Sequence, residues 1–493
     1  MAPEKISSSF SIPGYSRPNS RFKEFGSIIA IFFICLFGSY ILTSKIEAQY
    51  LVVTLVGLFF GSIYTFISFK SLVFPFLMFL LSIGGFRYLW SIQAPILPDL
   101  YLDRIMLLWL AVVFMVKIFA EGRKPRGPFL LDYLLLGHGF YIFIRIYFHD
   151  MADFHTWSMS IMVPYMVYFF AKNVIISVKQ IRVLLLALLI LGVYYNITSV
   201  GEKFNIPWLL YPQSMLIEHE EFVGRSCGPF RNSGIFGNTL GMILPINLYF
   251  LATVRGNFWK ILLYTNLALG FVALYFTYTR GAWVVGLIAF STAVFINRRE
   301  YFKTIAPLLV VIPLAAFIGL GMIQDTFFQE RVENDDTIDA RVGTMVTAFR
   351  IWQDHPFVGC GPYQFTNVRD DYIEPVEFPV LGTIKFANFR NNGAHDMYFS
   401  PLAEDGLVGI FLQFSIYFLI LKSFLRVLKL RKSGDHVAVY VIPLFMGILF
   451  AYLFGGLTQT FRHTSIMGTI LYLVAAVAYG YRPEYRRTGS TIN

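Results

Sequence analysis

Apolar residues fall along this chain in blocks of about 18 to 22, each closed by a short polar stretch. A helix of that length crosses the ~30 Å hydrocarbon layer of a bilayer, whereas soluble cores use shorter runs of roughly ten to fourteen residues. Fourteen blocks can be counted, at roughly 26–44, 50–69, 71–90, 103–120, 129–147, 158–176, 181–200, 235–254, 260–278, 281–297, 304–323, 397–421, 437–457 and 464–481. Several of them, such as 26–44, 50–69, 235–254 and 464–480, carry almost no charge. The pattern predicts an all-α polytopic membrane protein: one transmembrane domain over 26–481, with a tail before it at 1–25 and another after it at 482–493.

The polar junctions set the orientation. Counting from a cytosolic start, the even-numbered junctions hold Lys70, then Arg123, Lys124 and Arg126, then Lys172, Lys179 and Arg182. Arg255 and Lys260 follow, then Arg298, Arg299 and Lys303, then Lys422, Arg426, Lys429, Arg431 and Lys432. The C-terminal tail adds Arg482, Arg486 and Arg487. Basic residues retained on the cytosolic side put both termini inside. The Ser/Pro-rich start, with Arg17, Arg21 and Lys23 just ahead of the first block, reads as a cytosolic tail leading into an uncleaved anchor. Two long loops, 201–234 and 324–396, then fall on the outer side. The second carries eleven acidic residues against six Lys/Arg between Asp325 and Arg390, the reverse of the cytosolic junctions. Within it, Asp339 to Asp354 has a helical period, with Val342, Met345, Val346, Phe349 and Trp352 on one stripe. His355-Pro356 ends that helix, and Gly359-Cys360-Gly361-Pro362 forms a turn-rich connector.

Composition agrees: of 493 residues, 56% are apolar and 14% charged, against roughly 25% charged in ordinary domains. The net charge of +10 raises nucleic acid as a partner, but the basic residues sit in alternate junctions and form no phosphate-tracking stripe. Fifty-two Phe and 29 Tyr fit lipid contact and interfacial belts instead. Three cysteines exclude a disulfide scaffold. Cys35 lies in the first block, while Cys227 and Cys360 share the outer side, where a bridge and two separate thiols are both admissible.

The informative residues are cations in the wrong place. Arg225 and Arg231, within Gly224-Arg-Ser-Cys-Gly-Pro-Phe-Arg-Asn232, precede the eighth block at its outer end. Thr279-Arg280-Gly281 is a minimal outer turn between two apolar helices, and Ala394-His395-Asp396 opens the twelfth block on the same side. A single interfacial arginine ordinarily snorkels to headgroups. Several on the side that positive-inside bias disfavours point to an anionic ligand, because a guanidinium forks two donors toward phosphate oxygens. A group transfer with a diphosphate leaving group needs charge stabilisation on the departing side and a base for the attacking hydroxyl. Imidazole, which titrates near neutrality, suits His395 to the second role. Weaker candidates are Asp132, His138 and Arg145, as a proton relay or as polar contacts between helices, with Arg145 also an accessory phosphate ligand. The loop acids Glu333, Asp335, Asp336, Asp370 and Asp371 read as hydrated rather than metal-binding, and spacings for zinc, a phosphate-cradling lysine loop or a dinucleotide are absent.

These stretches resemble the bacterial O-antigen ligase and polysaccharide polymerase superfamily. Arg225-x-x-Gly-Pro-Phe-Arg-Asn is similar to its Arg-x-x-Gly-x-Phe element, and Thr279-Arg280-Gly281 to its Ser/Thr-Arg-Gly turn. Arg341 with the helix ending in Pro356-Phe-Val-Gly-Cys-Gly-Pro resembles the segment before the catalytic histidine. His395-Asp396-Met-Tyr and Leu402-Ala-Glu404-Asp-Gly406-Leu-Val-Gly409 resemble the His-Asn-x-Tyr and Glu-x-Gly-x-x-Gly ending, with Asp396 standing where the family has Asn. The likeness covers about 225–410. It implies a lipid-phosphosugar-dependent membrane glycosyltransferase fold and an enzyme without metal or cofactor. Such enzymes take a glycan from undecaprenyl diphosphate at the periplasmic face of the inner membrane and give it to an acceptor hydroxyl. That acceptor is a lipid A core sugar, another glycan or a protein side chain. On this resemblance Arg225 and Arg280 hold the diphosphate, Arg231, Arg341 and Glu404 assist in binding, and His395 activates the acceptor.

A multi-pass transporter or lipid-linked oligosaccharide flippase is the alternative, and a non-catalytic assembly scaffold a third reading. Transporters place polar residues near the bilayer midplane, in broken helices of repeated halves; here they gather at one surface. Single cysteines at 225, 280 and 395 are expected to react with an impermeant thiol reagent from the same side of the membrane. Labelling from opposite sides would overturn a shared site.

Overall fold

The computed structural model describes residues 48–483, apart from 88–90, 93–99, 123, 147–150, 213–223, 307–335, 379–381, 385–395, 460 and 462–463. The first predicted block, most of the eleventh, and His395 lie outside the described residues. What is described is almost entirely helical. In chain order the helices are α1 (Ala48–Lys70), α2 (Val73–Phe86), α3 (Leu102–Glu121), α4 (Leu130–Phe143), α5 (151–174) and α6 (Val178–Lys203). They continue with α7 (Ser233–Thr253), α8 (Asn257–Phe276), α9 (Arg280–Ile296), α10 (Arg298–Ile305), α11 (Asp336–Asp354), α12 (Phe399–Leu428), α13 (Val437–Gly455) and α14 (Ser465–Gly480). Two antiparallel ladders, Ser91–Ile92 with Leu100–Tyr101 and Val376–Phe378 with Gly382–Ile384, are the strands among the described residues. Five of the described helices, α6, α7, α8, α12 and α13, are long and apolar enough to cross a bilayer, and α2, α4, α9 and α14 are shorter apolar helices.

Contacts divide the chain into two units. The smaller, Met1–Pro75 with Leu108–Lys124, includes α1 and most of α3, where Tyr64 packs its ring between Phe74 and Trp109 at centroid distances of 5.5 and 6.3 Å. The larger, Phe76–Leu107 with Pro125–Asn493, contains every candidate residue that the structure describes.

In the larger unit the close packing around α9 is made by small residues. A Cβ on Gly237 of α7 would meet Ala282 at 2.6 Å, and one on Gly241 would meet the Gly286 backbone at 2.9 Å. A Cβ on Gly447 of α13 would overlap the Ala289 carbonyl. Small residues let membrane helices approach closely enough for dispersion contacts to hold them, where apolar lipid offers no hydrophobic drive between helices. α9 is therefore gripped on two sides, and its N-terminal residue, Arg280, is placed with it.

Helix α12 is broken near its start. Gly406 has φ 66° and ψ −166°, a region that only glycine occupies readily. The break frees backbone groups that the connector after α11 satisfies. Cys360 N donates to Ala403 O (2.9 Å), Gly361 N to Glu404 O (3.0 Å), Leu407 N to Pro356 O (2.9 Å) and Val408 N to Phe357 O (3.1 Å). A Cβ at Gly406 would overlap the Phe357 carbonyl, and one at Gly359 the Glu404 carbonyl, so the two strands of this clasp touch backbone to backbone.

The clasp seats α11 on α12, but with a different face from the one its apolar stripe predicts. The buried positions are Thr344, Thr347, Ala348 and Ile351; Ala348 and Ile351 pack with Phe365 and Ala403, while Phe349 is 41% exposed. Small side chains allow the near approach that the clasp imposes; of the bulky stripe Phe349 is exposed, while Val342, Met345, Val346 and Trp352 are partly buried. Gly406→Ala is expected to lower the unfolding temperature of the purified protein, at a cost of about 3 kcal/mol or more from strain and overlap. Gly137→Ala, in α4 with open space around it, is expected to be neutral or slightly stabilising; equal effects in thermal melts would refute the assignment.

Candidate active site

The segment 224–232 folds back onto the turn between α8 and α9. Ser226 N donates to Phe276 O at 2.9 Å. Arg225 donates through Nε to Thr277 O (3.2 Å) and through Nη2 to Thr279 Oγ1 (2.6 Å), and Thr279 is the residue just before α9. From the other side Glu202, at the end of α6, accepts from Cys227 N (2.9 Å) and Gly228 N (3.0 Å). Gly228 and Arg231 both take the left-handed conformation, and Asn232 caps α7 by accepting from Ile235 N (2.9 Å). Thus Arg225, Arg231 and Arg280 belong to one end of the α7–α9 group.

The loop after α13 closes the same end. A Cβ on Gly281 would meet Thr458 Oγ1 at 2.6 Å, and a Cβ on Gly234 would overlap the Gln459 amide; Gln459 Oε1 also accepts from Asn238 Nδ2 (2.6 Å). Met397 N donates to Gly456 O at 2.7 Å. Asp396 and Met397 are therefore seated on the loop that covers Gly281, next to Arg280. Asp396 is fully buried and caps α12: Oδ1 accepts from Tyr398 N (2.8 Å), Phe399 N and Ser400 N (3.2 Å). Asparagine and aspartate both serve that capping geometry, which accounts for an acid at this position. His395 itself lies outside the described residues, one position from this anchor. Arg341, on α11, completes the group. Burial and then the Arg280 charge hold its guanidinium below the usual arginine range, so the two cations are electrostatic neighbours.

Other candidates have different positions. Arg145 belongs to the clasp: it donates to Tyr141 Oη (3.0 Å) and to the carbonyls of Gly359 and Glu404 (both 3.3 Å), and lies 3.8 Å from Asp405. Glu404 is 2% exposed and accepts from Phe365 N (3.2 Å), inside the α11–α12 junction. Asp132 pairs with Lys172 at 2.5 Å and His138 bonds Tyr165 at 2.7 Å, so with Arg145 held in the clasp these residues have separate partners and act as polar contacts between helices. Cys227 and Cys360 are both free thiols, each pushed up to about 12 first by burial and then by the neighbouring Glu202 or Glu404. Neither supplies a thiolate near neutral pH. Asp370 pairs with Arg369 at 3.3 Å, while Glu333 and Asp335 lie outside the described residues. Glu202, Thr458 and Gln459, which shape this end of the group, carry no signal in the sequence that marks them.

The O-antigen ligase family model matches residues 265–414, so that segment of the chain is similar to the O-antigen ligases. The match supports a membrane glycosyltransferase of the ligase and polymerase type at the level of that family. The matched segment contains Arg280, Arg341, His395 and Glu404, while Arg225 and Arg231 precede it. A comparison with curated proteins finds no match to the chain.

Burial raises the Asp396 carboxyl to about 6, outweighing the three backbone N–H donors that favour its charged form. Between the ordinary value near 4 and about 6, the folded chain keeps a proton that the unfolded chain releases. Stability is then expected to fall as pH rises through that window, on the order of 2 kcal/mol, and to level off above it. Asp396→Asn keeps the cap and removes the titration, so its melting temperature between pH 4 and 7 is expected to be flatter. An unchanged slope in that variant would refute the assignment.

Proposed function

We propose that this protein transfers a glycan from undecaprenyl diphosphate to an acceptor hydroxyl at the periplasmic face of the inner membrane. The observation that carries this reading is the convergence of Arg225, Arg280 and Arg341 on one helix end, beside the residue that follows His395. Guanidinium groups held as electrostatic neighbours favour an anion, and two linked phosphates supply the matching charge.

In this reading the acceptor oxygen attacks the anomeric carbon while the bond from that carbon to the diphosphate oxygen breaks. His395 takes the hydroxyl proton, and the leaving diphosphate carries away the bonding electron pair, its growing charge stabilised by Arg280 and Arg225. Arg341 and Arg231 add to the positive field. Glu404 serves from behind, fixing the α11–α12 junction so that Arg341 stays in place. The orientation that fits has fourteen spans, both termini cytosolic and the loops 201–234 and 324–396 outside.

Purified protein incubated with undecaprenyl-diphosphate oligosaccharide and a panel of glycan, lipid A core and peptide acceptors is expected to give a product larger than the acceptor by the transferred glycan, read by mass. Arg280→Ala and His395→Ala are each expected to lower the rate by a hundredfold or more, since loss of one charge-stabilising group typically costs about 10²–10³. Both variants are expected to be extracted and eluted as the parent is. Parental rates in either variant would remove that residue from the chemistry.

A further inference from the structure

The opposite end of α9 carries a second concentration of arginines that the transfer reaction does not use. The helix runs for 17 residues from Arg280 to Ile296, so its two ends are about 25 Å apart at 1.5 Å per residue. Beyond Ile296 the chain turns at Asn297, which is fully buried and donates Nδ2 to Val439 O (2.8 Å), and then enters α10. Arg431, in the turn that follows α12, is locked onto this corner: Nη1 donates to Ile296 O (2.5 Å) and Nη2 to Asn297 Oδ1 (2.8 Å). A cavity of about 670 Å³ opens there, lined by Phe295, Ile296, Arg298, Arg299, Phe302 and Arg431.

Two properties of this cavity specify its ligand. Among the described residues no acid forms an ion pair with Arg298, Arg299 or Arg431, so three guanidinium groups surround one space with only carbonyl and amide partners for one of them. Phe295 and Phe302, beside them, are 78% and 53% exposed. Forked cations next to uncovered aromatic surface at the end of a membrane helix match a phosphate joined to hydrocarbon. A free ion would leave the phenylalanines uncovered, and an acyl chain alone would leave the charge unbalanced. We propose that this corner binds the phosphate of an anionic phospholipid in the leaflet opposite Arg280, with Phe295 and Phe302 against its chains. The lipid would join the ends of α9 and α12, which Arg431 already ties together.

Native mass spectrometry of the full-length protein in neutral detergent, with phosphatidylglycerol or phosphatidylcholine added, tests this. The parent is expected to favour phosphatidylglycerol by about tenfold. R298Q/R299Q is expected to abolish the preference and R298K/R299K to keep most of it. R255Q, which removes an exposed arginine outside the cavity, is expected to leave the preference intact. The proposal is overturned if the preference survives in R298Q/R299Q, if R255Q loses it equally, or if millimolar inorganic phosphate displaces the lipid. Because lipid binding is read without transfer activity, the result is independent of the reaction proposed above.

Discussion

When a membrane helix breaks, the amides and carbonyls it releases need partners, because hydrocarbon offers none. In this protein the need is met by one exchange. Gly406 interrupts α12, and the connector after α11 supplies four hydrogen bonds to the exposed backbone of residues 403–408. Everything on α11 is placed by that exchange. Arg341 feels the Arg280 charge because α11 is held against α12, and α11 is held there because Gly359 and Gly406 permit carbonyl and amide to meet without a side chain between them. Arg145 seals the junction by donating to the carbonyls of Gly359 and Glu404, the second of which also accepts from Gly361 N.

A second constraint fixes the other half of the site. α9 is only 17 residues long, and it lies in contact with α7 and α13 through Gly237, Gly241, Gly286 and Gly447. Its first residue is thereby set beneath the 456–459 loop and beside Arg225. The arginines are not brought together by attraction, since like charges repel; helix packing and backbone hydrogen bonding impose their proximity.

Much of this was legible in the sequence. Blocks of apolar residues located the helices, and the unusual placement of Arg225, Arg231 and Arg280 singled out one end of the α7–α9 group, whereas Arg341 entered only through the resemblance. The period of α11 was visible too, yet its buried face was not, because burial there follows the closeness set by the clasp and selects Thr344, Thr347 and Ala348 over Phe349. Arg145 reads in sequence as a relay member, a helix contact or an accessory phosphate ligand, and Glu404 goes to the substrate through the resemblance; only the fold shows their carbonyl and amide partners. Asp396 looked like a change in the chemistry of its neighbour and proves to be a helix cap. Thr458 and Gln459 gave no warning, since a short polar loop between two apolar helices has no distinctive composition.

The loop that covers Gly281 and receives Met397 comes from residues 456–459, beyond the 265–414 segment that the family model matches. The segment 224–232 lies before it. A chimera built by exchanging the family segment alone would inherit its arginines but borrow both the floor and one wall from a foreign scaffold. Exchange of specificity between relatives would therefore require the flanking helices to travel with the motif-bearing core, as a single inherited block.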